Sequence, residues 1–208
     1  LGFTAGYRVI ALDGAPIGEE SYYNLRLAEN TEFLDYDALS FMGRFTVMES
    51  FWILILSVSP ALLSFLLPFL FGIRTFIFFY LIMGRLKPQI KNLASLLLII
   101  SPAFIYLFST STKFSGAMFF TSIAFYCFLR KKRWFALAAL FLVSMFSSLF
   151  GIGIWVALLL YYVFKKKEKF LFIGHSILLI VSFLIYYIRL FDIGWQKPFF
   201  LGSSEVSF

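Results

Sequence analysis

The sequence predicts an all-α fold, a polytopic bundle of transmembrane helices with an acidic loop outside the membrane. Three observations lead there. The 208 residues are 61% hydrophobic and only 14% charged, with a mean hydropathy of +0.90, more apolar surface than a water-soluble core of this length can hide. The apolar residues come in runs of span length, separated by short polar loops. The charge is also divided unevenly. Residues 1–49 hold eight carboxylates against three arginines, net −5, while the remainder holds fifteen Lys and Arg against three acids, net +12.

The positive excess lies in loops between apolar runs and reads as a topology signal rather than a nucleic-acid surface. The 30 Phe residues suit side chains that face acyl tails and the membrane interface. Single Cys127 allows no disulfide within the chain and no thiolate metal cluster. A start at Leu1 without Met, and a stop at Phe208 just after a hydrophobic run, suggest a piece of a longer membrane protein.

Residues 1–63 form the external acidic loop. Tyr22, Leu25, Leu27 and Ala28 fit helical spacing between Ser21 and Glu32, with Ser21 as N-cap. Residues 35–43 read as irregular or extended, a helix restarts near Thr46, and an interfacial helix occupies 47–62. The first span is placed at 64–84 despite Arg74. That arginine costs about 2.5–3.5 kcal/mol, against about 4–8 kcal/mol returned by the Leu, Ile and Phe of the same window. The rival partition puts the span at 51–73. Further spans follow at 92–109, 114–129, 134–149, 151–164 and 170–190, and residues 191–208 form an external tail.

Basic clusters fall after every second run: Arg85, Lys87 and Lys91, then Arg130-Lys131-Lys132-Arg133, then Lys165-Lys166-Lys167-Glu168-Lys169. The alternate loops are nearly uncharged. By the positive-inside rule the basic loops are cytoplasmic and the acidic segment is non-cytoplasmic. Runs 134–149 and 151–164 are short, so a hairpin turning at Gly151 and Gly153 is expected, with one long helix as the alternative. Ionisable groups within the runs are few. His175 is expected near the cytoplasmic interface, hydrogen-bonded or solvated, and Arg74 as a snorkelling, packing or lipid-phosphate-binding side chain.

The densest polar chemistry lies from Glu19 to Arg26, where two carboxylates, two tyrosines, an amide and a guanidinium share eight residues. Adjacent carboxylates offer hard oxygen ligands to Mg²⁺ or Mn²⁺, and a planar guanidinium matches a phosphate. A solvated helix start, favoured by the helix dipole, accounts for Glu19 and Glu20 equally well.

The run Glu20-Ser-Tyr-Tyr-Asn-Leu-Arg-Leu-Ala-Glu29 resembles the first external loop of the catalytic subunit of oligosaccharyltransferase and its archaeal relatives, membrane glycosyltransferases of the GT-C type. In that loop an Asp is followed by Pro, two aromatics, Asn or His, one further residue and Arg. The likeness continues through Asp37-Ala-Leu-Ser-Phe-Met-Gly-Arg44 and through Leu67-Pro-Phe-Leu-Phe-Gly72 with Tyr80, covering about residues 18–130. It implies a GT-C-like fold and transfer of a sugar from a polyprenyl-phosphate-linked donor at the non-cytoplasmic face. It aligns Glu20 with the metal-binding Asp and Arg26 with the motif arginine.

Two departures matter. Glu in place of Asp lengthens the metal-binding arm by one methylene. The second external loop reads Ser109-Thr-Ser-Thr-Lys-Phe-Ser-Gly-Ala117 where the family carries an acidic Asp-Asn-Glu motif. The Trp-Trp-Asp motif is likewise not within the chain, so the resemblance implies a divergent transferase rather than N-glycosylation of Asn. The candidate site is therefore Glu20 for a metal, Arg26 and Lys113 for the donor phosphate, and Glu19, Glu20, Asp35 and Asp37 for catalytic carboxylates. A non-catalytic membrane subunit of the same fold and a transporter are the alternatives. The expected partners are the lipid-linked donor and membrane lipids.

Overall fold

The computed structural model describes residues 19–29, 34–37, 44–47, 51–165 and 168–196, with side chains at 20–29, 51–165 and 168–185. The described chain is helical, as expected, apart from one short ribbon in the acidic segment. Helix α1 (Glu19–Glu29) comes first. Strands β1 (Leu34–Asp37) and β2 (Arg44–Val47) then pair antiparallel, with Asp35 opposite Thr46 and Asp37 opposite Arg44.

The interfacial helix expected at 47–62 is replaced by a short α2 (Phe51–Leu56), and no helix restarts at Thr46, which lies in β2. Proline explains the break. The Pro60 ring disfavours helical geometry at the preceding residue, so Ser59 is extended (φ −159°, ψ 83°) and Pro60 opens α3 (Pro60–Leu86), where its missing N–H costs nothing. The same break removes the rival continuous helix over 51–73. One face of α2 packs into the protein: Trp52, Ile53 and Leu56 are buried.

After a 3₁₀ turn (Pro88–Ile90), α4 (Lys91–Ile100) and α5 (Pro102–Ser109) replace the single run expected at 92–109. They meet at a 57° bend, where Ser101 is held extended by Pro102. Then come α6 (Lys113–Leu129), α7 (Arg133–Phe146), α8 (Ser148–Lys165) and α9 (Lys169–Gln196).

The break between α7 and α8 falls at extended Ser147 (φ −154°, ψ 111°), and the turn expected at Gly151 and Gly153 is not there. Both glycines lie inside α8. Gly151 is there for close approach: a Cβ on it would sit 2.7 Å from Ser144 Oγ and 2.9 Å from Leu179 Cδ1. Gly153 meets nothing within 4 Å.

Among the described residues two helices, α3 and α8, are long and apolar enough to cross a membrane, or three if the bent pair Pro88–Ile100 and Pro102–Ser109 counts as one. Shorter apolar helices run over Lys113–Leu129, Arg133–Phe146 and Lys169–Ile185. Their outer faces are apolar, with Leu93, Leu96, Ile100, Leu160, Ile177 and Ile180 all exposed. A surface of that kind suits lipid better than water.

Ring contacts fix the helix directions. Phe71 stacks on Phe119 at 4.9 Å and Phe78 lies 5.5 Å from Tyr126, so α3 and α6 run parallel. Phe114 meets Phe150 and Phe128 meets Tyr161, so α8 also runs parallel to α6. The basic turns after α3, α6 and α8 consequently share one end of the bundle. The junctions at 110–112 and at Ser147 share the other, together with α1 and α2.

Candidate functional site

At that second end, α1 is clamped onto the junction between α5 and α6. Its buried face carries Ser21, Asn24 and Ala28, spaced three and four apart, as one side of a helix requires. Ser111 is the point of attachment. Its N–H donates to Ser21 Oγ (2.8 Å), and its carbonyl accepts from Asn24 Nδ2 (2.9 Å) and, at a longer 3.4 Å, from Trp52 Nε1. Both backbone groups of a buried loop residue are thereby satisfied. Ser21 is not the N-cap expected from sequence. The helix starts two residues earlier, and the hydroxyl serves the tertiary contact instead.

The clamp opens a cleft of about 320 Å³ lined by Glu20, Tyr23, Asn24, Leu27, Ile53, Lys113 and Phe114. Glu20, Tyr23, Asn24 and Leu27 follow helical spacing along α1, and Lys113 and Phe114 open α6. Two candidate residues that stand 93 positions apart in sequence, Glu20 and Lys113, therefore face one space. Glu20 is exposed as a residue, but its carboxyl is partly shielded from water. That burial pushes its pKa above the ordinary carboxylate value, and the Lys113 ammonium opposes the shift.

Arg26 is not among the cleft-lining residues. Its guanidinium lies over the Tyr23 ring, 5.7 Å from the centroid, one helical turn along α1. Glu19 opens α1, and Asp35 and Asp37 lie in β1. Their side chains are outside the described residues.

A divalent cation asks for several oxygen ligands. Among the described residues Glu20 is the one carboxylate lining the cleft, Lys113 adds positive charge beside it, and no group of three His, Cys, Asp or Glu side chains is assembled. The described donors do not fit a Mg²⁺ or Mn²⁺ site.

Beneath the cleft the side chains are aromatic. Trp52 and Phe146 (6.2 Å), Phe51 and Phe146 (5.6 Å) and Phe71 and Phe119 (4.9 Å) form a continuous ring cluster. This gives α2 and the start of α6 a rigid floor. The clamp residues Ser21 and Asn24 were not singled out as functional from sequence. Their spacing with Ala28 on one face of α1 is the signal that finds them.

The two polar groups flagged inside the spans lie elsewhere. Of the two readings for His175, the hydrogen-bonded one holds: the side chain is fully buried, and its Nε2–H donates to the Gly151 carbonyl (3.1 Å). Arg74 is exposed on the outer face of α3. Comparison of the chain with models of protein families, with curated proteins and with solved structures finds no match.

Proposed function

We propose that the chain is a multi-pass membrane glycosyltransferase that moves a sugar from a polyprenyl-phosphate donor to an acceptor at the non-cytoplasmic face. The basic turns then lie in the cytoplasm and the cleft lies outside. The observation that carries this reading is the cleft itself, which sets a shielded carboxylate and an ammonium against one another beside an apolar bundle. The two groups suit the two demands of the reaction.

As the acceptor's nucleophilic atom bonds to the anomeric carbon, its proton has to leave. Glu20, with its pKa raised by burial, is a stronger base than an ordinary carboxylate. As the bond from the anomeric carbon to the phosphate oxygen breaks, the electron pair stays on the phosphate. Lys113 neutralises the charge that develops there. Tyr23 and Phe114 give the sugar flat apolar faces, and Leu27 adds an aliphatic one. Arg26 lies over the Tyr23 ring.

The test is incorporation of labelled sugar from a polyprenyl-phosphate donor by membranes carrying the protein. Glu20→Gln is expected to lower the rate by about 10²–10⁴-fold, the usual contribution of a positioned general base. Equal rates for the two proteins would remove Glu20 from the mechanism. Absence of transfer from the unmodified protein would favour the non-catalytic subunit.

A further inference from the structure

The opposite end of the bundle carries a second, larger cleft. About 610 Å³ in volume, it is lined by Lys131, Lys132, Arg133, Trp134, Phe135 and Phe170. Half of its lining residues are cationic and half aromatic. Trp134 is 74% exposed and Phe135 66% exposed, and Trp134 meets Phe170 edge to face at 5.0 Å. Lys132 also lines a neighbouring cleft of about 240 Å³ with Arg130, Tyr126 and Cys127, and its ammonium lies 5.7 Å from the centre of the Phe135 ring. Among the described residues the ion pair at this turn is Arg133 with Glu168 (3.3 Å), which leaves the turn strongly positive.

The backbone here is held at a cost. After α6 the Lys131 N–H donates to the Phe128 carbonyl and the Lys132 N–H to the Cys127 carbonyl, both at 2.9 Å. This is the helix-ending motif that normally has glycine at its left-handed position. Lys131 occupies that position with φ 59°. A long cation therefore stands where a glycine would be more stable.

We propose that this turn binds the headgroup of an anionic phospholipid. The lipid phosphate lies between Lys132 and Arg133, and an acyl chain runs along Phe135 and Phe170. Exposed aromatics beside clustered cations match the two chemistries of a lipid at the interface, and the excess positive charge selects an anionic headgroup over a zwitterionic one.

Lipid retention by the purified protein, measured by native mass spectrometry from mixed micelles of phosphatidylglycerol and phosphatidylcholine, tests this. The unmodified protein is expected to retain phosphatidylglycerol preferentially. Lys131→Gly with Lys132→Ala is expected to lower that preference by about five-fold per charge, the worth of a cation at an anionic surface, without loss of folded protein. Arg85→Gln with Lys87→Gln, the same charge removed at another basic turn, is expected to leave the preference in place. Glu168→Gln is expected to tighten retention, a gain that misfolding does not produce. The proposal is overturned if the Arg85/Lys87 variant weakens retention as much as the Lys131/Lys132 variant, if Glu168→Gln gives no gain, or if inorganic phosphate displaces the lipid.

Discussion

At the cleft end of the bundle six buried rings, Trp52, Phe71, Phe104, Phe108, Phe119 and Phe146, pack with Ala28, Ile53, Leu56, Ala117 and Val143, while toward the basic end the buried cluster is Ala124, Ala136, Leu137, Ala139, Leu140 and Leu171, with no ring among its fully buried members. The small residues let helix backbones approach. A Cβ on Gly174 would meet Leu137 at 2.9 Å, which shows how tightly α9 lies on α7. The aromatic end packs differently. Large rings fill the space between the elements and support a short buried helix, and the polar clamp on Ser111 lies at the same end. The cations of the basic end sit on exposed turns, where the backbone is fixed but the long side chains end in solvent. The cleft end fixes its polar atoms through buried hydrogen bonds, as chemistry at a defined atom requires.

The aromatic end is most sensitive at Trp52. Trp52→Ala removes a fully buried ring from the aromatic floor and a donor to Ser111. It is expected to destabilise the fold by about 3–5 kcal/mol, measured by denaturant unfolding in micelles. The account of α8 is sharpened by a pair of glycines. Gly151→Ala forces a methyl against Ser144 and Leu179 and is expected to cost about 1–3 kcal/mol. Gly153→Ala meets open space and is expected to gain up to about 1 kcal/mol from helix propensity. Opposite signs in the same assay are the check, and equal losses would mean that Gly153 has a role in packing.

The smallest expected effect is on pH dependence. The base must be ionised, so the acidic limb of the transfer rate lies above the usual carboxylate range. Lys113→Met, which removes the charge that lowers the Glu20 pKa, moves the limb further up. The folded state binds this proton more tightly than the unfolded chain does. Stability therefore falls as pH rises from the ordinary carboxylate value to the folded one, and Glu20→Gln removes that slope.

Much of this was legible in the sequence because it depends on composition and local pattern. Hydropathy gives the helical class, and the acidic segment points to Glu20. The breaks at Ser59 and Ser101 were written in Pro60 and Pro102, whose effect on the preceding residue is local, yet the length of the apolar runs masked them. Gly151 was misread as a turn because glycine serves close packing as well as reversal, and only the position of Ser144 and Leu179 distinguishes the two. The clamp on Ser111 and the meeting of Glu20 with Lys113 are contacts across about ninety residues, which no local period encodes. Arg26 is close to Glu20 in sequence yet is not among the cleft-lining residues, because six helical residues carry it to another face of α1.

If the Glu20 and Lys113 cleft is the reacting end, sugar transfer measured side by side for Lys113→Gln and Lys132→Gln, each lacking one cation at opposite ends of the bundle, separates the two ends. A loss of about 10²–10³-fold is expected for Lys113→Gln, the scale of one group that stabilises a leaving charge, and a rate within about two-fold of the unmodified protein for Lys132→Gln, because one exposed surface charge contributes little. Equal rates for the two variants would remove the cleft from the reaction.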